Sequence, residues 1–173
     1  IKRSVEGSLK RLNSDYIDLY QTHIYDPYTP QEETLKALDD LVTQGKVRYI
    51  GCSNIMSWEM VEAINISRKF GWKEYSTVQP EYSMLVRHVE NELIHACNKY
   101  SIGLLPYFPL ASGFLTGKYQ KNKPLPDGAR LTENSRPEIS QRFLTENNYN
   151  IIENLTIWAK KRNKSLLDLA FAW

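Results

Sequence analysis

Cysteine is scarce in this sequence, and so are long apolar runs. Cys52 and Cys97 are the only cysteines, and they do not form a CxxC pair. A small secreted scaffold held by disulfides would contain more cysteine, so we interpret both as reduced thiols of a cytoplasmic protein. No apolar run approaches the roughly 18 residues of a membrane span, so we expect no membrane partner.

An excess of charge of one sign is also lacking. Lys and Arg total 22 against 20 for Asp and Glu, which gives a formal net charge of +2. A charge this small does not indicate a nucleic-acid partner or an anionic membrane surface. The glycine motifs GxGxxG and GxxxxGK[ST] are absent, so neither a Rossmann nor a P-loop phosphate site is favoured.

Four short apolar runs have the pattern of buried strands. They start about 30 residues apart and cover residues 16–22, 47–51, 76–80 and 104–108, with amphipathic helix patterns between them. This alternation predicts an α/β fold with parallel strands joined by right-handed crossovers. The regular spacing favours a (β/α)8 TIM barrel, with a doubly wound parallel sheet as the alternative.

The helix patterns carry start and stop signals. Thr29, Pro30 and Glu32 predict a capped first turn of a helix that ends at Gly45. Further helices are predicted over residues 57–71, 87–100 and 146–162, and another begins after Ser165. The proline- and glycine-rich stretch at about 109–145 predicts a long loop, which in a barrel lies on the ligand side.

The readable pattern is shorter than a whole barrel, which takes about 250 residues. Residues 1–12 already form a helical stripe without an initiator Met, and the last helix has no stop signal. We therefore expect residues 1–173 to be one partial TIM-barrel domain from a longer enzyme. A half-barrel that folds alone without a ligand is the least specific alternative. It would expose apolar edges, and the sequence leaves a homo-oligomer open.

Polar and aromatic residues follow each predicted strand, where a barrel gathers its site. These residues are Gln21 to His23, Cys52 to Asn54, Gln79 to Tyr82, and Tyr107 to Leu110. The set contains no cluster of carboxylates or cysteines, so a metal site is not expected. Neutral donors and acceptors around an aromatic ring suit a flat, amide-bearing ligand such as a nicotinamide.

Four segments resemble blocks of the aldo-keto reductases, in the family's order and spacing. They are DYIDLYQTH at 15–23, GKVRYIGCSN at 45–54, VQPEY at 78–82 and PLASGFLTGKY at 109–119. The resemblance covers nearly the whole chain and implies an oxidoreductase that uses NADPH to reduce a small aldehyde or ketone to an alcohol. It also implies that the chain supplies roughly strands 4 to 7 of the barrel and their helices.

The resemblance assigns one catalytic residue to this chain. In the family a tyrosine protonates the carbonyl oxygen, assisted by a lysine, an aspartate and a histidine. Only the histidine matches a position here, His23, which is expected to orient the substrate carbonyl by donating a hydrogen bond. The other three would precede residue 1.

The resemblance also implies a set of cofactor contacts. Around the nicotinamide it places Ser53, Asn54 and Gln79 at the carboxamide and Tyr107 flat against the ring. Along the phosphates it places Leu110, Ser112, Lys118 and Arg130. Phe108 stands where many members carry serine, which leaves only backbone contacts there. The choice of NADPH over NADH rests on the family alone.

Each assignment has a structural alternative. Asn54 could cap a turn, Gln79 could simply end a strand, Tyr107 could belong to the core, and Lys118 could be solvated. The functional alternative is a cofactor-binding regulatory subunit, similar to the β subunits of voltage-gated potassium channels. His23 favours the enzyme, because the channel subunits lack a histidine at that strand end.

Overall fold

The computed structural model describes residues 1–131 and 137–173, and strands and helices alternate as predicted. Its elements are α1 (Lys2–Leu12), β1 (Ile17–Thr22), α2 (Gln31–Thr43), β2 (Val47–Ser53), α3 (Ser57–Phe70), β3 (Tyr75–Gln79), α4 (Leu93–Tyr100), β4 (Gly103–Leu104), α5 (Pro137–Phe143), α6 (Glu146–Lys160) and α7 (Leu166–Ala172). Two short 3-10 segments are His88–Glu90 and Ala111–Thr116. None of the helices in the described ranges is long and apolar enough to cross a membrane.

The chain forms two compact units. The first unit comprises residues 1–80 and 89–105, and the second comprises residues 81–88 and 106–173. The first unit contains all four strands, in a parallel sheet of order β1-β2-β3-β4. A doubly wound sheet reverses its strand order at a switch point, and these four strands show no reversal, which favours the barrel interpretation.

Helices cover the sheet of the first unit through apolar stripes at helical spacing. The buried side chains are Val5 and Leu9 of α1, Leu35, Leu38 and Leu41 of α2, and Met60, Ala63 and Ile64 of α3. Val47, Ile50, Cys52 and Val78 are buried on the strands. Each fully buried aliphatic side chain stabilises the fold by about 1.5–3 kcal/mol, so this layer holds the strands in place.

Two predicted element starts are wrong. Thr29 does not cap α2, because its hydroxyl donates to Asp26 Oδ2 at 2.7 Å, and Pro30 occupies the cap position without a side-chain hydrogen bond. The helix predicted over 87–100 begins only at Leu93, after the separate 3-10 segment His88–Glu90. This helix, α4, ends at the C-cap residue Ser101, whose backbone is left-handed.

The fourth strand is shorter than predicted. Only Gly103 and Leu104 pair with β3, and Leu105 N then donates to Val78 O at 2.9 Å. Pro106 follows and has no N–H to offer, so the ladder stops there. Tyr107 pairs again in an isolated bridge with Glu81, within the second unit.

The second unit has its own core. Its buried residues are Val86, Ala111, Phe114, Leu115, Tyr119, Ala129, Leu131, Phe143, Ile152 and Leu166. The Tyr119 hydroxyl accepts a hydrogen bond from Leu131 N at 2.9 Å, which satisfies its oxygen inside this core. The stretch predicted as a loop at 109–145 therefore contains a packed 3-10 segment and α5, while residues 132–136 lie outside the described residues.

Gly51 in β2 gives a test of the strand packing. An added Cβ would lie 2.3 Å from Thr77 Oγ1 and 2.9 Å from the Thr77 carbonyl oxygen. We expect Gly51→Ala to lower the free energy of unfolding by about 1–3 kcal/mol, as overpacking does. Gly103→Ala is the matched control, because its Cβ would meet Thr77 Cγ2 at an ordinary 3.4 Å. Equal stability of the two variants in urea unfolding would contradict this account.

Candidate active site

The carboxyl ends of β1, β2 and β3 lie side by side in the first unit. Thr22 is opposite Cys52, and Ser53 is opposite Gln79. Ser53 is 4% exposed, and its hydroxyl donates to the Gln79 carbonyl oxygen at 2.6 Å. This hydrogen bond ties the end of β2 to the end of β3.

Asn54 ties the same strand end to β1. Its backbone is left-handed, with φ of 47°, a conformation that asparagine tolerates better than most residues. Its side-chain Nδ2 donates to the His23 carbonyl oxygen at 2.8 Å and lies 3.1 Å from Ser53 Oγ. The structure therefore brings His23, Ser53, Asn54 and Gln79 together, and we call these four residues the strand-end cluster.

The strand-end cluster is exposed on one side and buried on the other. His23 and Asn54 are exposed, Gln79 is half-buried and Ser53 is buried. Just behind it, Gln21 Nε2 lies 3.4 Å from the Cys52 carbonyl oxygen. The exposed side chains of His23 and Asn54 thus lie on a backbone that these hydrogen bonds fix.

In the second unit, Tyr107 and Phe108 form an aromatic pair. Their ring centroids are 5.4 Å apart at an interplanar angle of 79°. Both side chains are half-buried, and Phe108 has a positive φ of 51°. Burial, and secondarily the charge of Glu81, raise the pKa of the Tyr107 phenol, whereas Arg142 lowers it. The phenol therefore stays neutral at physiological pH.

A run of left-handed residues follows the aromatic pair. Ala111, Ser112 and Gly113 have φ values of 47°, 56° and 92°. Ser112 is 5% exposed, and its Oγ is buried without a hydrogen-bond partner among the described residues. Buried polar atoms in native proteins nearly always have partners, so this hydroxyl is suited to a ligand or a water.

The remaining predicted phosphate contacts lie along the same stretch. Leu110 precedes the run, and its carbonyl oxygen accepts from Gly113 N at 2.9 Å and Leu115 N at 3.2 Å. Lys118 is exposed and runs past Gly113, where an added Cβ would lie 3.4 Å from its Nζ. The Arg130 guanidinium lies 4.8 Å from the centroid of the Phe108 ring. We call residues 107–118 the turn segment.

Sequence reasoning missed one pair of charged residues in the second unit. Glu81 follows the third strand directly, yet no role was expected for it. Its Oε2 accepts a hydrogen bond from Arg142 Nη1 at 2.8 Å. Arg142 is 61 residues away from Glu81 in the sequence. No local sequence pattern indicates a contact over such a separation.

Acidic and thiol ligands for a metal do not come together in the described part of the chain. No group of three or more His, Cys, Asp or Glu side chains there could hold a metal ion. Both cysteines are buried and unpaired as disulfides.

Comparisons with known proteins give a consistent result. A model described as the Aldo/keto reductase family matches residues 1–173. The chain is 38% identical to a putative aryl-alcohol dehydrogenase of Schizosaccharomyces pombe, over 98% of this chain and 47% of the relative. It is 35% identical to an aldo-keto reductase of Fusarium vanettenii, over 100% of this chain and 46% of the relative.

A third relative has a different name. The chain is 34% identical to a probable voltage-gated potassium channel subunit beta of Oryza sativa, over 100% of this chain and 53% of the relative. The chain therefore spans about half the length of the curated relatives it matches.

Two buried titratable side chains of the first unit, Cys52 and Tyr75, should lower the stability of the fold at high pH. Burial raises the pKa of Cys52 from 9.0 to about 12, and burial also raises the pKa of Tyr75. Above pH 9.0 the unfolded chain releases the Cys52 proton before the folded chain does. The free energy of unfolding should therefore hold below that pH and fall as the pH rises towards about 12.

Urea unfolding across this pH range tests whether Cys52 and Tyr75 cause the loss of stability. Cys52→Ala and Tyr75→Phe should each weaken the dependence of the unfolding free energy on pH. Tyr28→Phe changes an exposed tyrosine and serves as the control. A Cys52→Ala variant with the wild-type pH dependence would refute the assignment.

Proposed function

The chain belongs to the aldo/keto reductase family, and on this premise we propose that it carries part of the site of a carbonyl reductase. The reaction reduces a small aldehyde or ketone to an alcohol with a nicotinamide cofactor, taken to be NADPH. The observation that carries the proposal is the strand-end cluster, in which the side chains of Ser53 and Asn54 bind the backbone carbonyls of Gln79 and His23 at the carboxyl edge of a parallel sheet. Ligands of α/β proteins bind at that edge.

His23 is the proposed catalytic residue. Its carbonyl oxygen accepts from Asn54 Nδ2 at 2.8 Å, which fixes the backbone while the imidazole stays exposed. An imidazole held at such an edge can donate a hydrogen bond to a substrate carbonyl oxygen and stabilise the negative charge that develops there. The family's tyrosine, lysine and aspartate have no counterpart in residues 1–173.

The strand-end cluster also fits the amide end of a nicotinamide. The amide groups of Asn54 and Gln79 and the hydroxyl of Ser53 offer donors and acceptors to a carboxamide. The hydrogen bond from the Ser53 hydroxyl to the Gln79 backbone carbonyl ties together the two strand ends that carry these groups. The nicotinamide cofactor, when bound, supplies the hydride.

The turn segment fits the phosphate end of a cofactor. Ala111 N and Gly113 N already donate to the carbonyl oxygens of Phe108 and Leu110, so the phosphate contacts that we propose come mainly from side chains. The buried Ser112 Oγ has no partner among the described residues, and Lys118 brings a positive charge beside Gly113. We assign the pyrophosphate to Leu110, Ser112 and Lys118, a further phosphate to Arg130, backbone contacts to Phe108, and the nicotinamide ring face to Tyr107.

We also propose an architecture for the domain to which these strands belong. The four parallel strands in consecutive order would be roughly strands 4 to 7 of a (β/α)8 barrel, with the rest of the barrel outside residues 1–173. The relatives' greater length supports this reading.

A cofactor-binding regulatory subunit is the second candidate function. The similarity to a probable potassium channel subunit beta supports it, because family membership alone does not require turnover. His23 favours the reductase. A full-length protein that binds NADPH but reduces no aldehyde would favour the regulatory subunit.

Replacing His23 tests the proposed chemistry. In the full-length protein we expect His23→Ala to lower kcat for NADPH-dependent reduction of 4-nitrobenzaldehyde by about 100-fold, the usual cost of losing one donor to a developing oxyanion. The Kd for NADPH should stay at the wild-type value. The control is His88→Ala, which changes an exposed histidine of the second unit. An active wild type with unchanged kcat in His23→Ala would refute the role of His23.

Two serine variants test the carboxamide contacts. Ser53 Oγ and Ser76 Oγ each donate to a carbonyl oxygen of the neighbouring strand, to Gln79 at 2.6 Å and Ile50 at 2.9 Å. Each change to alanine should lower the free energy of unfolding by about 1 kcal/mol. Only Ser53→Ala should also weaken NADPH binding, by about tenfold, because Ser76 lies near the amino end of β3, away from the carboxyl ends of the strands. Equal affinities of the two variants in a fluorescence titration would contradict the assignment.

A further inference from the structure

Glu81 and Arg142 form an ion pair in the second unit whose carboxylate is largely buried. Arg142 Nη1 lies 2.8 Å from Glu81 Oε2. The Glu81 side chain is 12% exposed, and its Oε1 is buried without a hydrogen-bond partner among the described residues. Arg142 is about half-exposed. A carboxylate this far removed from water depends on its partner more than a solvated one does.

The backbone holds both partners of the pair. Glu81 is bridged to Tyr107, and Tyr82 N donates to the Tyr107 carbonyl oxygen at 3.3 Å. Each of these contacts lies within the second unit. The position of the Glu81 carboxylate and the position of the Tyr107 ring are therefore set by the same short stretch of backbone.

The other end of the pair is equally well anchored. Arg142 lies in the last turn of α5, next to Phe143, which is buried in the core of the second unit. Asn148 Nδ2 donates to the carbonyl oxygens of Arg142 at 3.3 Å and Phe143 at 3.0 Å, which satisfies the end of this helix. The ion pair therefore links the carboxyl end of α5 to the backbone around Glu81.

Both charges act on Tyr107. The pKa of its phenol is raised by burial first and then by Glu81, and Arg142 opposes the effect of Glu81. The tyrosine, the carboxylate and the guanidinium thus form one electrostatic group. Removing either charge would therefore change the electrostatic potential at the Tyr107 ring.

We propose that Glu81 is a positioning residue: its ion pair with Arg142 fastens α5 to the backbone that carries Tyr107 and so keeps that ring in one orientation for the cofactor. The inference rests on the proposed function, since it takes Tyr107 as the contact for the nicotinamide ring. Loss of the pair would loosen the attachment of α5 to this backbone and leave the carboxylate buried without its counter-charge. The affinity for the cofactor would fall, whereas the rate of the chemical step would stay the same.

Glu81→Gln and Arg142→Gln in the full-length protein test the proposal, with Arg142→Lys as the conservative variant. Amide hydrogen exchange of α5 without cofactor and the Kd for NADPH are measured in each. Both glutamine variants should show about tenfold faster exchange in α5 and about tenfold weaker NADPH binding, within the usual range of coupling between two elements. The value of kcat at saturating NADPH should not change. Arg142→Lys should recover most of the affinity.

The matched control is Glu146→Gln. It removes the Lys121–Glu146 pair of the same unit, whose carboxylate is 79% exposed, and should change neither exchange in α5 nor affinity. Should Glu81→Gln fail to fold, Arg142→Gln carries the test, because it changes the half-exposed partner.

Three outcomes would overturn the inference. Wild-type exchange in α5 of the glutamine variants would show that the pair does not fasten the helix. Faster exchange with unchanged NADPH affinity would show that the helix does not position Tyr107. A wild-type protein that binds no NADPH would refute the proposed function itself. The wild-type measurement comes first, so this result is distinguished from a failure of the ion-pair proposal.

Discussion

The candidate site depends on the parallel, in-register pairing of β1, β2 and β3. Pairing in one direction places the carboxyl ends of the strands at one edge, and the register sets Ser53 against Gln79. The hydroxyl of Ser53 and the amide of Asn54 then join the ends of neighbouring strands by hydrogen bonds. A slip of one residue would turn Ser53 to the opposite face and undo both contacts. The chemistry of this edge is therefore a consequence of sheet geometry.

Local signals predicted much of the fold. Gly71 ends α3 in the left-handed conformation, and Ser165 caps α7 by accepting from Asp168 N, as their residue types indicate. The failures came from competing interactions. The hydroxyl of Thr29 was taken by a nearby aspartate instead of the helix. Pro106 ended the fourth strand early, because a proline cannot continue the ladder.

The site could be predicted only in part. The grouping of His23 and Asn54 follows from the rule that parallel strands end at one edge, so the sequence was sufficient there. The left-handed conformation of Ala111 and Ser112 has no such signal, because neither residue type favours it. Such strain needs a packed core to hold it, and it occurs often at functional sites. The role of Glu81 depends on a partner far along the chain, which local patterns do not reveal.

We propose that the carboxyl ends of the strands in the first unit bind a nicotinamide. The most direct measurement is a crystal structure of the full-length protein with NADP+ bound. The account predicts that the carboxamide lies within hydrogen-bond distance of the Gln79 and Asn54 side chains. A nicotinamide ring bound away from the carboxyl ends of β2 and β3 would contradict it.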